Sequence, residues 1–291
     1  GILTNGGPLH EQFEEALCEY LEVPYVSLYA NGTLALIASL AILDLPPGSE
    51  VITTPFTFIA TANAIIWNRL TPVFVDIDPV TLNISPVEIE AAITKKTKAI
   101  VGVHVFGIPC DVDAIEIIAN KHGLKVIYDA AHAFGVRCHC GSIMQHGDLA
   151  AISFHATKVF NTFEGGAVVC HTQKHKDKLD AWKNFGLTDA KTSDCAGLNA
   201  KLSEFNSALG LLQLNYVEEF IEQRGRIAET YSKELSAIRG IKLPDEYTPD
   251  IQKANYSYFS IQVTDEFHLS RDALLEALHR KAIHARRYFF P

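Results

Sequence analysis

Apolar runs with strand character alternate with helical patterns over the first two-thirds of the chain. Seven runs are nearly continuous in apolar residues and rich in valine and isoleucine, as strands buried on both faces of a sheet are. They are "YVSLYA", "EVITT", "PVFVDI", "KAIVGVHV", "KVIYDAA", "LAAISF" and "AVVCH". The alternation predicts an α/β fold in which a mainly parallel sheet is sandwiched by helices.

Start and stop signals delimit the helices between these runs. The segment "SPVEIEAAI" has Ser85 as its N-cap, proline in the first turn and Glu88 where a capping box requires it. The segment "CDVDAIEIIANKHG" is predicted to begin near Asp111 and to end at Gly123, because glycine readily adopts the left-handed conformation that stops a helix. An amphipathic helix is also predicted to begin at Pro8.

The last third of the chain has a different pattern. One long helical stretch begins at Ser203 and runs through "SEFNSALGLLQLNYVEEFIEQRGRIAETYSKELSAI". A turn near Pro244, a strand "YSYFSIQV" and a helix "SRDALLEALHRK" follow it. We predict a large α/β domain over residues 1–213, then a long connecting helix and a smaller α+β domain over residues 214–291. Because the chain starts without methionine and ends at "RRYFFP", we expect this small domain to be truncated.

Composition and charge limit the classes of function. The chain has 291 residues, of which 48% are apolar, and no apolar run is long enough to cross a bilayer. The formal net charge of −9 disfavours nucleic acid and anionic membranes as partners, but it leaves an anionic small molecule open. The six cysteines form no C-x-x-C pair and no zinc-binding set. With no signal peptide, the sequence predicts reduced cysteines in the cytoplasm and no metal site.

Polar residues follow several of the predicted strands, at the edge of an open α/β sheet where ligands gather. Asn31, Gly32 and Thr33 lead from a strand into an apolar helix, which suits either phosphate binding or an ordinary cap. Asp129 ends a buried strand, where an unpaired carboxylate is costly, so it has either a structural hydrogen bond or a function. The same alternatives hold for His132.

Two further segments add an aromatic surface and an unusual lysine. Phe56 and Phe58 follow a strand; core packing accounts for one of them, and the second could stack on a flat ring. Ser153 and His155 share a direction if the strand continues, and Lys158 lies just beyond it. A partly desolvated lysine has its charged form disfavoured, which leaves a nucleophilic amine for imine chemistry. Phosphate site, carboxylate, aromatic ring and lysine together match pyridoxal phosphate.

The segments that carry these residues resemble a known family. They are "LTNGGPLHEQFEEAL", "NGTLAL", "EVITTPFTFIATANAI", "PVFVDIDP", "VHVFGIPCDVDAI", "VIYDAAHAFG", "SFHATKVFNTFEGGA", "GLNAKLSEFNSALGLLQL" and "HARRYFFP". Over essentially the whole chain the sequence resembles the nucleotide-sugar aminotransferases of the DegT/DnrJ/EryC1/StrS family. Within that family it is most similar to the branch that makes dTDP-4-amino-4,6-dideoxyglucose.

The resemblance implies a fold-type I pyridoxal-phosphate enzyme that works as a homodimer with active sites at the subunit interface. Transferred to matching positions, Lys158 would bind the cofactor covalently and later carry a proton between substrate and cofactor carbons. Asp129 would pair with the protonated ring nitrogen. His132 stands where glutamine is frequent in the family and would hydrogen-bond the ring hydroxyl, and Phe58 would stack on the ring.

The resemblance also implies how the phosphate is held and what is transferred. The backbone at Gly32 and Thr33, with the Ser153 hydroxyl, would bind the phosphate, and Asn199 would reach the phosphate in the neighbouring subunit. The expected reaction moves an amino group from L-glutamate to a keto-6-deoxy nucleotide sugar, most simply dTDP-4-keto-6-deoxyglucose. The product would serve the biosynthesis of a surface polysaccharide such as lipopolysaccharide.

Two alternatives stay open beside the transaminase. One is the sugar dehydratase branch of the same family, which has histidine in place of the reactive lysine, whereas this chain has Lys158. The other is a truncated, non-catalytic remnant or regulatory subunit, which the expected truncation would explain. A plain nucleotide-binding domain is disfavoured because the chain has neither G-x-G-x-x-G after a strand nor a Walker-type loop.

Overall fold

The computed structural model describes residues 4–139, 141–189, 191–244 and 251–290. Every apolar run that was predicted as a strand of the first two-thirds contains one. In chain order the strands are β1 Tyr25–Tyr29, β2 Glu50–Thr53, β3 Thr71–Phe74, β4 Thr97–Val103, β5 Lys125–Asp129, β6 Arg137–Cys138, β7 Gly141–Ser142, β8 Leu149–Ser153, β9 Gly166–Cys170, β10 Ile241–Lys242 and β11 Gln262–Val263.

The central sheet has seven strands in the order β1-β9-β8-β5-β4-β2-β3. The neighbours β3, β2, β4, β5 and β8 pair in parallel. Strand β9 pairs antiparallel with both β8 and β1, so it alone runs against the others. The sheet is therefore mainly parallel, as predicted, and the carboxyl ends of its parallel strands lie at one edge together with the start of β9.

Helices cover both faces of this sheet. They are α1 Pro8–Leu21, α2 Gly32–Ala41, α3 Ile59–Trp67, α4 Pro86–Ala92, α5 Val112–His122, α6 Gln173–Trp182, α7 Glu204–Leu214, α8 Val217–Leu235 and α9 Arg271–Arg280. Strand β4 shows how each strand serves two cores: Ile100 packs in one apolar cluster, and Ala99 and Val101 pack in the other. Side chains alternate across a strand, so strands buried on both faces need apolar residues at every position.

The predicted caps form, with one exception. Asp111 accepts the Ala114 N–H at the start of α5, and Gly123 ends that helix at φ 66°. The exception is the capping box of α4. The Ser85 hydroxyl accepts the Glu88 N–H at 3.4 Å, but the Ser85 N–H donates to a backbone carbonyl, so the Glu88 carboxylate does not complete the box.

Two predictions for the last third are wrong. The long helix from Ser203 is interrupted between α7 and α8, because Tyr216 has ψ −7° at φ −118° and leaves helical geometry. The strand predicted for "YSYFSIQV" is reduced to β11, which pairs only with β10. The residues before it turn instead: the Ser257 N–H donates to the Asn255 side chain, and Tyr256 has φ 50°. The domain boundary at residue 213 stays a prediction.

The prediction of reduced cysteines is also wrong at one residue. Cys18, Cys110, Cys170 and Cys195 are free thiols. Cys138, however, is disulfide-bonded. Cys138 ends β6 at the tight turn to β7. The C-x-x-C pattern does not describe a cysteine in such a turn. Cys140 lies outside the described residues. Among the helices of the described ranges, none has the length and apolar character needed to span a membrane.

Candidate active site

A cavity of about 380 Å³ opens at the edge of the sheet where the parallel strands end. It brings together most of the residues that the sequence singled out, from four separate segments of the chain. They are Gly32, Thr33, Phe58, Asp129, His132, Ser153, His155 and Lys158. Asn199 is not among the lining residues; it is exposed and forms an isolated bridge with Asn184.

One end of the cavity is a narrow junction between α2, β8 and β9. The Asn31 side chain accepts the Leu34 N–H, which leaves the N–H groups of Gly32 and Thr33 at the free end of the helix. A Cβ on Gly32 would lie 2.8 Å from Ser153 Cβ, and one on Gly166 would lie 2.6 Å from the Asn31 carbonyl carbon. Only glycine permits this approach, and the result suits a small anion.

Asp129 lies at the centre of the cavity floor, where β5 ends. It is 6% exposed, and neutral donors hold its carboxylate: Thr61 Oγ1 donates to Oδ2 at 2.7 Å, and the Ala131 N–H donates to Oδ1 at 3.1 Å. Burial raises the pKa of Asp129, while these hydrogen bonds and the charge of Lys158 oppose the rise. A buried carboxylate fixed in this way offers negative charge to a group inside the cavity.

The orientation of His132 is set by the backbone of Phe106. The Phe106 N–H donates to His132 Nδ1 at 3.1 Å, so the neutral imidazole carries its proton on Nε2. Burial lowers the pKa of His132 to about 3, which keeps the ring neutral. The Asn255 side chain donates to the His132 carbonyl at 2.8 Å and to the Phe134 carbonyl at 2.9 Å, which anchors this loop to the last third of the chain. His132 is thus a neutral hydrogen-bond donor at the cavity wall.

Lys158 lies in the connection between β8 and β9, which is closed like a hairpin. Ser153 pairs with Gly166 at its base, and the Phe154 N–H donates to the Gly165 carbonyl at 2.8 Å. Strand β8 ends at Ser153, so the strand does not continue to His155 as the sequence analysis supposed. Burial lowers the pKa of Lys158, and the charge of Asp129 opposes this. The amine therefore loses its proton at a lower pH than an exposed lysine would.

The outer wall of the cavity is aromatic, and most of its residues were not predicted from the sequence. Phe56 packs edge-on against Phe106 at 6.1 Å and Phe289 at 5.1 Å between ring centroids, so it belongs to the core as one alternative held. Phe58 is 63% exposed and keeps a free face at the cavity. Tyr258 accepts a hydrogen bond from Lys158 Nζ at 3.2 Å. No local pattern points to Tyr258, because it lies 100 residues from Lys158 in the chain.

Comparison with known proteins decides what kind of site this is. The model of the DegT/DnrJ/EryC1/StrS aminotransferase family matches residues 1–291. The chain belongs to this family. Relatives in this family that are 52% and 45% identical are named as transaminases, so the chain is a pyridoxal-phosphate-dependent transaminase, and the predicted fold-type I class is confirmed.

Three members of the DegT/DnrJ/EryC1/StrS family show how similar this chain is to known proteins. The chain is 52% identical over 289 residues to a dTDP-4-amino-4,6-dideoxy-D-glucose transaminase of Shigella dysenteriae, covering 99% of the chain and 77% of that relative. The crystal structure of DesI in the presence of its TDP-sugar product has a TM-score of 0.92 at 36% identity, with 99% of this chain and 73% of that chain covered. NtdA from Bacillus subtilis with bound cofactor PMP has a TM-score of 0.87 at 30% identity, over 99% and 65%.

The cavity fits the family's cofactor on observations of this structure alone. The junction at Gly32 and Ser153 has no room for a side chain on Gly32, but a phosphate could bind there to the free N–H groups at the start of α2. Asp129 could neutralise a protonated ring nitrogen, and the Lys158 amine could bond to the carbonyl carbon. When bound, pyridoxal phosphate supplies that carbonyl carbon and a ring that takes up negative charge from the reacting carbon.

Loss of the Tyr258 hydroxyl is expected to change the titration of Lys158. In Tyr258→Phe the charged amine loses an acceptor, so the pKa of Lys158 falls further, by about one unit. Reductive labelling of Lys158 by a small aldehyde, quantified by peptide mass across pH, should then have its midpoint at lower pH. Tyr256→Phe, on the exposed part of the same segment, is the control. A midpoint that is unchanged or higher would contradict the hydrogen bond.

His132 is expected to make the fold sensitive to acid. Its pKa is about 3 in the folded chain and about 6.5 in the unfolded chain, so only the unfolded chain binds a proton between these values. The free energy of unfolding is therefore unaffected by His132 above pH about 6.5, and it decreases as the pH falls from there towards 3. In His132→Gln the slope of the unfolding free energy against pH should decrease by up to about 1.4 kcal/mol per pH unit.

Urea unfolding at several pH values measures this slope. The exposed His268→Gln is the matched control and should leave it unchanged. The remaining acid sensitivity of His132→Gln is assigned to His104, whose pKa burial also lowers to about 3. An unchanged slope in His132→Gln would show that His132 binds its proton at the same pH in the folded chain as in the unfolded chain.

Proposed function

We propose that the chain transfers the amino group of L-glutamate to the keto carbon of dTDP-4-keto-6-deoxyglucose. The observation that carries this proposal is the 52% identity to the Shigella dysenteriae transaminase named for dTDP-4-amino-4,6-dideoxy-D-glucose. A second transaminase of that name, from Escherichia coli, is 45% identical over 292 residues. DesI, which was crystallised with a TDP-sugar product, has a similar fold over 99% of this chain.

Lys158 is assigned the chemical steps. Its amine would hold the cofactor covalently between turnovers, and Nζ would carry a proton from one reacting carbon to the other. The assignment is supported by the burial that lowers the pKa of Lys158, because a neutral amine is both a nucleophile and a base. The hydrogen bond to Tyr258 at 3.2 Å holds the side chain inside the cavity.

Binding of the cofactor ring is assigned to Asp129, His132 and Phe58. Asp129 would keep the ring nitrogen protonated, which the two hydrogen bonds to its carboxylate support. His132 would donate from Nε2 to the ring hydroxyl, in agreement with the bond that its Nδ1 accepts from Phe106. Phe58 would stack on the ring with the face that it leaves exposed.

Binding of the cofactor phosphate is assigned to Gly32, Thr33 and Ser153. Asn199 is assigned to the cofactor phosphate of the neighbouring subunit. The first three line the narrow end of the cavity. The exposed position of Asn199 outside the cavity is in keeping with a role across a subunit interface. The proposal therefore includes a homodimer with shared active sites, which the molar mass in solution tests.

We further assign the reaction to the cytoplasm and its product to the synthesis of a surface polysaccharide such as lipopolysaccharide. The proposed substrates are a nucleotide sugar and an amino acid, and no nucleic acid or membrane is involved. The formal charge of −9 disfavours nucleic acid and anionic membranes as partners. The polysaccharide assignment is supported by a Bacillus subtilis relative, 35% identical over 272 residues, that is named as a spore coat polysaccharide biosynthesis protein.

Mass spectrometry of the products from a panel of keto nucleotide sugars tests the function. With L-glutamate as donor, dTDP-4-keto-6-deoxyglucose should give the amino sugar fastest, ahead of GDP- and UDP-linked keto sugars. A product that has lost a sugar hydroxyl and gained no amino group would instead support the dehydratase. Cofactor binding without product from any sugar and donor would support a non-catalytic remnant.

A further inference from the structure

Two buried threonine hydroxyls are linked to Asp129 by hydrogen bonds, and neither threonine was predicted from the sequence. Thr61 is 1% exposed and belongs to the first turn of α3, and Thr57 is 7% exposed and precedes the helix. Thr61 Oγ1 lies 2.7 Å from Asp129 Oδ2, and Thr57 Oγ1 lies 2.8 Å from Thr61 Oγ1. The side chains form a continuous hydrogen-bonded row that ends on the carboxylate.

Proton counting fixes the direction of this row when Asp129 is ionised. An ionised carboxylate has no proton and can only accept, so Thr61 must donate to it. A threonine hydroxyl has a single proton, so Thr57 must donate the bond between the hydroxyls. Both O–H dipoles then point towards Asp129, and each hydrogen bond strengthens the next.

The surroundings of the row favour the same charge state. Thr61 brings the carboxylate to the first turn of α3, where the helix dipole stabilises an anion. The Ala131 N–H fixes the other carboxylate oxygen at 3.1 Å. Both oxygens of Asp129 are therefore held by donors of the protein itself, so the orientation of the carboxylate is determined before any ligand enters.

No other titratable group that faces Asp129 within the described residues duplicates this row. Lys158 favours the anion through its charge, but burial lowers the pKa of Lys158. Burial raises the pKa of Cys110, so that thiol is uncharged. His104 and His132, both with a pKa of about 3, are neutral. Hydroxyl donation is thus a separate influence on the protonation of Asp129.

We propose that Thr61, supported by Thr57, is a positioning residue that holds Asp129 as an anion directed into the cavity towards the ring nitrogen of pyridoxal phosphate. The inference rests on the proposed role of Asp129 and adds the groups that make this role possible. Without the row, the buried carboxyl group would take up a proton more readily and would present no charge to the ring.

The test compares Thr61→Val, Thr61→Ser and Thr57→Val in the full chain without cofactor. Valine keeps the shape of threonine and lacks the hydroxyl, whereas serine keeps the hydroxyl. The pKa of Asp129 is read from the NMR resonance of the carboxyl carbon in isotope-labelled aspartate, assigned by its loss in Asp129→Asn. Thr61→Val should raise this pKa by about one to two units, and Thr57→Val by less. Thr61→Ser should leave it at the parent value.

A second readout is the affinity for pyridoxal phosphate, measured by equilibrium dialysis near neutral pH. Thr61→Val should bind about tenfold more weakly, and Thr61→Ser should bind like the parent. A parent-like pKa in Thr61→Val overturns the proposal, as does an equal rise in Thr61→Ser. If Thr61→Val does not fold, Thr57→Val decides, and a pKa of Asp129 at or below the parent value overturns the row.

The failure of this inference differs from the failure of the proposed function. The NMR titration needs neither cofactor nor substrate, so a negative result removes the row and leaves the transaminase untouched. Absence of an amino-sugar product from the parent chain removes the proposed function and leaves the titration valid.

Discussion

Replacement of Lys158 by alanine is expected to lower the rate of amino transfer by more than about 10³-fold. Under the role proposed for Lys158, the substitution removes both the amine that would attach the cofactor and the group that would move the proton, so both halves of the reaction should stop. Lys158→Arg is the matched comparison, because it keeps the positive charge but cannot be deprotonated in a protein. It should be equally inactive. Initial rates of amino-sugar formation, measured by mass spectrometry, give both values.

Borohydride reduction separates binding from chemistry in these variants. In the parent chain it should fix the cofactor on the peptide that contains Lys158, and in both variants that labelled peptide should be absent. Cofactor should still bind reversibly, since the phosphate site at Gly32 and Ser153 is intact. A Lys158→Arg rate above about a tenth of the parent rate would assign the proton transfer to another residue.

Substitution of Asp129 by asparagine is expected to lower the rate by about 10³-fold with little change in stability. Asparagine has the same shape but no charge, so under the role proposed for Asp129 the ring nitrogen would lose the partner that keeps it protonated. Burial already disfavours the charged form of Asp129, as its raised pKa indicates, so a neutral side chain should not destabilise the fold. Initial rates and thermal unfolding measure the two effects.

Glu88→Gln is the control for loss of a carboxylate, because Glu88 is exposed on α4 and does not complete its capping box. It should leave both the rate and the unfolding temperature at parent values. An Asp129→Asn rate within about tenfold of the parent would remove the charge of Asp129 from the mechanism. A large loss of stability would show that Asp129 is primarily structural.

The sheet could be predicted from the sequence because its signal is local. A strand buried on both faces needs apolar residues at nearly every position, and the runs that form the interior strands β4, β5, β8 and β9 have them. The edge strand β3 is exposed at both of its ends. The last third could not be predicted equally well, since tertiary contacts override its local preferences. Asn255 illustrates this: its side chain donates to the carbonyls of His132 and Phe134, 123 and 121 residues away in the chain. It also accepts the Ser257 N–H, so the backbone turns where the strand was expected to begin.

The site was predictable to the extent that its residues follow strands. Asp129 ends one strand and Lys158 lies shortly beyond the end of another, and one edge of the sheet collects such positions. Thr61 and Tyr258 had no comparable signal. Thr61 reaches Asp129 across 68 residues of chain, and Tyr258 reaches Lys158 across 100. Their residue types are common in helices and strands, so only the folded chain reveals the contacts.

The hairpin-like connection that carries Lys158 has a practical consequence for labelling this enzyme. Both of its stems are interior strands, so an inserted peptide would change the strand pairing and displace the amine. The exposed turn at residues 46–48 is better suited to an affinity tag or a fluorescent probe. It joins the end of α2 to the start of β2, so it lies at the opposite edge of the sheet from the cavity.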